Sequence, residues 1–244
     1  MLIVNADDFG RSKDETDTVL ACHEKVRITS TSAMVFMADS ERAAELSKST
    51  DMPVGLHLNL SENFTSEKVP TTLRKRHDRV RHFLKSNKYT LILYNPILSR
   101  DFSAVVKEQY VEFRRLFGHE PSHIDGHQHM HLATNVLLQR LLTPGVKVRR
   151  SFSFESGQKS RLNRWYRRCV DKELARHHPQ SDYFFSLSHH LSVDRAEKIA
   201  TLARNREVEL MVHTAINREF DFLMSDDFPR ILGSTKTASI QSTL

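Results

Sequence analysis

The apolar positions of this chain fall into short, dense runs separated by longer amphipathic segments. Leu2, Ile3 and Val4 make the first run. Residues 28–36, rich in Thr and Ser and closing on Ala33, Met34, Val35 and Phe36, make the second, and residues 53–60 the third. Short apolar runs of this kind predict buried strands of a parallel sheet. In the third, Val54, Leu56, Leu58 and Leu60 share one face, and Gly55, His57 and Asn59 share the other. Residues 13–25 set Val19, Leu20 and Cys22 on one side of a helix, and a second helix is predicted at 40–46. Residues 102–117 repeat Val105, Val106, Tyr110, Phe113, Leu116 and Phe117 at helical spacing and stop at Gly118, ahead of Pro121.

The rest of the chain keeps this alternation. A short helix is predicted at 135–142, a strand at 146–150, a strand at 183–187, a helix at 191–203 and a last strand at 207–213. Over 161–174, Leu162, Trp165, Tyr166, Cys169, Val170 and Leu174 are expected to face inward, leaving Arg161, Arg164, Arg167 and Arg168 in solvent. The polar tail from Leu232 is expected to fray. Residues 61–99 break the rhythm, so a lid or substrate wall is expected at about 61–100. Strands alternating with helices predict an α/β fold, and 244 residues with 39% hydrophobic content suit one domain, 1–244.

A net charge of +6 and a pI of about 9.4 raise the question of a nucleic-acid partner. No RNP, zinc-finger or helix-turn-helix pattern accompanies the basic runs at 74–82 and 161–168, so none is expected. Only Cys22 and Cys169 are present, both in helix-like surroundings, which suits a reducing compartment. There is no signal-peptide pattern and no run approaching a membrane span, so a cytoplasmic location with no membrane partner is expected.

The candidate chemistry lies at the carboxyl ends of the strands, where α/β folds and barrels place it. Asn5-Ala-Asp-Asp-Phe-Gly10 follows the first strand, His57 sits in the third, and Arg149 and His213 end two later ones. Between them, His123-Ile-Asp-Gly-His-Gln-His-Met-His131 packs four imidazoles and a carboxylate into nine residues. Such ends would converge on one face of a (β/α) barrel. Adjacent Asp7 and Asp8 repel unless a cation or a shared proton relieves them. They act as metal ligand and base, or one of them caps the next helix, for which Ser12 is an alternative. A catalytic metal site typically uses three protein ligands, so one or two residues of the His-rich stretch are ligands and the others orient them or meet substrate. Arg149 either orients a site acid or forms a surface ion pair. Two His and one Asp around a cation support hydrolysis or iron(II) oxygenase chemistry. The oxygenase would want an all-β jelly roll, against the observed alternation. A metal-dependent phosphoesterase or other amidohydrolase, and a basic non-catalytic binding or regulatory protein, are the remaining readings.

Four landmarks then carry a family resemblance: Asn5-Ala-Asp-Asp-Phe-Gly10, Gly55-Leu-His-Leu-Asn-Leu60, the His123–His131 stretch and Met211-Val-His213. Together they resemble the YdjC-like deacetylases, which include chitooligosaccharide deacetylases. The resemblance implies a divergent, incomplete (β/α) TIM-like barrel that removes an acetyl group from N-acetylated sugars with one divalent metal, Mg²⁺ or Zn²⁺. Carried over by motif, it implies Asp8, His57 and His127 as metal ligands, Asp7 as general base and His213 as general acid. Asp125, Arg149 and His129 take supporting or substrate-binding roles, Arg149 holding Asp7. A homodimer is a further state the family suggests. Two departures stand out: His213-Thr-Ala-Ile216 replaces the usual His-Pro-Gly, and the segment after Leu60 is strongly basic.

Overall fold

Residues 1–154, 159–233 and 235–238 are described by the structure, a computed structural model. Its strands are β1 (Leu2–Phe9), β2 (Ser30–Ala33), β3 (Val54–Leu58), β4 (His123–Gly126), β5 (Lys147–Val148), β6 (Tyr183–Ser186) and β7 (Val208–Val212). They form one parallel sheet in the order β5-β4-β3-β2-β1-β7-β6. Parallel neighbours need crossover connections. These are supplied by α1 (Lys13–Glu24), α2 (Ser40–Ser47), α3 (Thr71–Ser86), α4 (Ser99–Phe117), α5 (Thr134–Leu138), α6 (Arg161–Leu174) and α7 (Val193–Ala203), with α8 (Asn217–Met224) and α9 (Asp227–Leu232) after the last strand.

The sheet curls until its two edges nearly meet. Ser153, just past β5, donates its N–H to the Phe184 carbonyl of β6 at 2.9 Å, and its Oγ accepts from the Phe184 N–H at 3.0 Å. Inside, the Arg149 guanidinium reaches Glu209 of β7 at 2.6 Å. The result is an α/β fold with an incomplete TIM-like barrel. Side-chain alternation divides the two faces of the sheet. Val4, Ala6, Val54, Leu56, Leu58, Ile124, Val208, Leu210 and Val212 belong to the hydrophobic core, together with apolar residues of the outer helices. On the inner face, Asn5, Asp7, Ser30, Ser32, His57, Asp125 and Glu209 are buried as a polar set. Burial of polar groups is tolerable only with hydrogen-bond partners. Ser30 Oγ donates to Asn5 Oδ1 at 2.8 Å, and Asn5 Nδ2 donates to Asp7 and Ser32 at 3.0 and 3.1 Å.

Several expectations change. β1 runs on through Asp7 and Asp8 rather than stopping at Val4, because the polar residues pair inside the barrel and do not need solvent. Ser12, not an aspartate, caps α1, accepting from the Glu15 N–H. The predicted 61–99 interruption contains α3, whose inner stripe is Leu73, His77, Val80 and Leu84. His77 stands where an apolar residue would have marked the helix, and it stacks on Phe64 at 3.9 Å. α6 is rotated from its predicted face: Val170 and Leu174 are buried, while Leu162 (72%), Trp165 (61%) and Cys169 are exposed. Arg167 instead lies over the Phe154 ring at 5.0 Å. The tail does not fray over its described part, since Leu2 donates to the Lys236 carbonyl at 2.9 Å and accepts from Ala238 at 3.0 Å. Residues 239–244 of that expectation lie outside the described residues. Among the described residues no helix is long and apolar enough to cross a membrane.

Candidate metal centre

The two acids of β1 reach the site because the strand is irregular there. Ala6 pairs with Thr31 and Phe9 with Ala33, a slip in register, and Asp8 adopts a left-handed conformation with φ 68°. That conformation costs a non-glycine residue on the order of 1–3 kcal/mol and persists where the surroundings hold it. It turns both carboxylates inward, as two successive residues of a regular strand would not. Asp7 meets Arg149, and Asp8 meets two histidines.

The Asp8 Oδ1 atom is the focus. It lies 3.2 Å from His57 Nε2 and 2.9 Å from His127 Nδ1. His57 comes from β3, where it sits in register with Asp125 of β4. Its Nδ1 lies 2.7 Å from Asp125 Oδ1. His127 follows the end of β4, and left-handed Gln128 (φ 53°) and His129 (φ 58°) make the turn after it. Asp8, His57 and His127 each offer one ligand atom within 4.8 Å of the others, all buried. One carboxylate oxygen and two imidazole nitrogens fit a divalent cation, and they suit Zn²⁺, Mn²⁺ or Co²⁺ better than the oxygen-seeking Mg²⁺. Asp7, His57 and Asp125 are also mutually close. The Arg149 guanidinium already fills that side, bonding both Asp7 oxygens at 2.6 and 2.7 Å and Asp125 at 2.7 Å. The first group is therefore the better cation site.

The electrostatics follow from burial and pairing. Burial works to raise the Asp8 carboxyl, but hydrogen bonds from His127 and His57 outweigh it and hold it well below the usual range. Burial opposes the His57 cation too, yet Asp125 and Asp7 push its pKa up to about 10. For Asp125, Arg149 and His57 overcome burial and keep it ionised. Glu209 goes the other way, burial raising its pKa against the attraction of Arg149. Arg149 is 2% exposed, so the surface ion pair that its sequence position also allowed is excluded.

The remaining predicted residues take different places. His213 follows the end of β7, and Asp7 and His213 come one position after the register pair Ala6–Val212. Its backbone N–H donates to Glu219 Oε2 at 2.9 Å, and its Nδ1 lies 3.9 Å from Glu219 Oε1. His129 stands apart from the Asp8 cluster, edge-on to Phe152 at 4.5 Å and Phe184 at 5.7 Å. His123 and His131 are core residues. His123 fills the space above Gly55, and His131 Nε2 donates to the Arg149 carbonyl at 3.0 Å. Beyond β6 opens a cavity of about 650 Å³ lined by Phe152, Phe154, Phe185, Lys159, Arg195 and Lys198 among others.

Sequence reasoning missed three acids. Glu62 Oε2 lies 3.0 Å from His127 Nε2, Glu209 anchors Arg149, and Glu219 backs His213. Glu62 alone had a local signal. Asn59, at the end of the β3 run, accepts from the Glu62 N–H at 2.8 Å and donates to its carbonyl at 2.9 Å, a side-chain turn that an Asn three residues earlier can signal.

An incomplete (β/α) barrel whose strand ends gather one carboxylate and two imidazoles around a single point is the class that fold and site define. Residues 1–234 match the family model described as YdjC-like protein, and the chain belongs to that family. A chitooligosaccharide deacetylase of Klebsiella pneumoniae (strain 342) is 30% identical over 88% of this chain and 81% of its own length. A carbohydrate deacetylase of Mus musculus is 31% identical over 61% of this chain and 49% of its own. A crystal structure of a candidate cellobiose-phosphate cleavage protein from Enterococcus faecalis V583 superposes with a TM-score of 0.72. It covers 99% of this chain and 97% of that one at 17% identity, a likeness of fold.

Proposed function

We propose that this protein is a metal-dependent deacetylase of N-acetylated sugars, with chitooligosaccharide-type molecules as the first substrates to try. The observation that carries the reading is the convergence of His57 and His127 on Asp8 beside an Asp7 carboxylate clamped by Arg149. The deacetylase names of its relatives supply the substrate class. In this reading Asp8, His57 and His127 hold one divalent ion, Zn²⁺ or Mg²⁺. When bound, that ion supplies Lewis acidity and lowers the pKa of water towards neutrality.

The chain's own residues do the rest. Asp7 accepts the proton of the attacking water, its position fixed by Arg149, Asn5 and Ser32. His213 delivers a proton to the departing amine nitrogen, with Glu219 behind its ring. Asp125 orients His57 and shares Arg149 with Asp7. His129 and the aromatic side chains of the neighbouring cavity line the way for a sugar ring, and the 61–100 segment, which reaches His127 through Glu62, is the substrate wall.

The test is acetate release from N,N′-diacetylchitobiose and longer N-acetylated oligosaccharides, using metal-stripped protein, protein with added Zn²⁺ or Mg²⁺, and the Asp7→Asn variant. Metal-dependent release that the variant loses supports the proposal. Stoichiometric metal binding without acetate release from any sugar keeps the centre and removes the substrate. One observation favours a second reading, a phosphoesterase: Lys159, Arg195 and Lys198 border the same cavity. Phosphate release from sugar phosphates in parallel assays separates the two.

A further inference from the structure

Two of the buried imidazoles near Asp8 share a pattern that only one of them explains through a predicted residue. His57 turns Nε2 to Asp8 and Nδ1 to Asp125, at 3.2 and 2.7 Å. His127 turns Nδ1 to Asp8 at 2.9 Å and Nε2 to Glu62 at 3.0 Å. A ligating imidazole normally donates its far N–H to a carboxylate or carbonyl, which fixes its tautomer and ring angle. Asp125 stands there for His57. We infer that Glu62 is the corresponding positioning residue for His127, and that His127 binds the cation through Nδ1.

The position of Glu62 is built rather than incidental. Its backbone is clamped on both sides by Asn59. Asn59 is itself fixed by Gln109 of α4, which accepts from the Asn59 N–H at 2.7 Å and donates to its carbonyl at 2.9 Å. Both residues are fully buried. The other Glu62 oxygen, Oε1, accepts from Arg11 Nε at 3.1 Å, and Arg11 also lies 3.7 Å from Asp8 Oδ2. Arg11 thus offsets the negative charge that Glu62 adds next to Asp8. The Asn59 clamp fixes the Glu62 backbone, and Arg11, which also pairs with Glu15 at 3.1 Å, holds its carboxylate on the side of Asp8. The inference also gives the start of the 61–100 segment a task at the centre, in addition to any contact with substrate.

The inference rests on the metal-centre reading, and its test separates the two. Co²⁺ and Zn²⁺ are titrated into metal-stripped wild type, Glu62→Ala and Glu62→Gln, followed by calorimetry and by the visible absorption of Co²⁺. Thermal unfolding of each metal-free protein is recorded alongside. The expected result is a Kd weakened about 10- to 100-fold in Glu62→Ala. Glu62→Gln, whose amide oxygen still accepts the Nε2 proton, should recover part of the loss with a Co²⁺ spectrum of wild-type shape. Affinity in Glu62→Ala within about twofold of wild type overturns the inference, as does a Glu62→Gln protein as weak as Glu62→Ala. Abolished binding in Glu62→Gln with an altered Co²⁺ spectrum also overturns it, because Glu62 would then be a ligand itself. If wild type binds no metal, the failure belongs to the metal centre as a whole.

Discussion

Replacing Gly55 by Ala should damage the fold through one identifiable contact. A Cβ at position 55 would lie 2.4 Å from Cε1 of His123 and 2.5 Å from each of its ring nitrogens. Carbon atoms in contact settle at roughly 3.5–4.0 Å, so the methyl group would overlap three ring atoms at once. His123 has little room to retreat, being 2% exposed and hydrogen-bonded through Nδ1 to Ser122 Oγ at 2.9 Å. Overpacking of this kind costs about 1–3 kcal/mol, and the rigid barrel interior places Gly55→Ala near the top of that range. Urea unfolding of metal-free protein measures it. His123→Ala should itself destabilise by leaving a cavity, whereas Gly55→Ala combined with His123→Ala should recover at least about 1 kcal/mol relative to the sum of the single changes. Additivity to within about 0.5 kcal/mol would show that the ring and the glycine do not meet, and the steric argument would fall.

Burial lowers the pKa of His77 from 6.5 to about 4, so on acidification the unfolded chain takes up this proton first. Its stabilising share is complete above pH 6.5 and is lost as pH falls towards 4, on the order of 3 kcal/mol at roughly 1.4 kcal/mol per tenfold in proton affinity. His123 and His131, also lowered to about 4 chiefly by burial, steepen the same loss. Comparing urea midpoints at high and low pH for wild type and His77→Phe checks this: the variant should lose about 2–3 kcal/mol less, and an equal loss would contradict it. Arg149→Met leaves Asp7, Asp125 and Glu209 without their shared cation, and breaking a buried ionic network in this way should cost about 3–5 kcal/mol near neutral pH. Chemical unfolding reads that cost directly, and a loss below about 1 kcal/mol would mean that the network is not what holds the interior together. Asp125→Asn should weaken Zn²⁺ affinity about 10- to 100-fold in calorimetry by loosening His57, while leaving the helix content unchanged in circular dichroism.

The sequence was most readable where hydropathy and geometry coincide. The apolar runs of β1, β3 and β7 announce buried parallel strands, and the polar residues at their carboxyl ends mark the site, as do the four motifs of the family. What hydropathy could not show is that β1 continues through Asp7 and Asp8, since the interior that receives them is polar. Nor could a period of two assign the histidines of the 123–131 stretch. The strand stops at Gly126 and two left-handed residues follow, so His127 joins the cluster, His129 turns to phenylalanines, and His123 and His131 pack as core. α3 was hidden because the stripe position that stacks on Phe64 is His77. α6 misled for the opposite reason, carrying Leu162 and Trp165 on a face that the fold leaves exposed. Glu209 and Glu219 are single acids whose partners are set only by closure of the sheet and docking of α8, and no local pattern could have pointed to them.

The strand order also governs when the centre comes into being. β1 lies between β2 and β7, and its register with β7 brings Val4 beside Leu210 and Ala6 beside Val212. The first strand of the chain is thus completed only by the last, a pairing of very high sequence separation, whose loop-closure cost is met before its contacts repay it. A growing or refolding chain can order β1 to β4 locally, but Glu209, and with it the full anchorage of Arg149 and Asp7, arrives with the final docking step. The proposed ligands Asp8, His57 and His127 come from β1, β3 and the end of β4, so cation uptake should begin before that step, and only the completed clamp of Arg149 on Asp7 should report the finished fold.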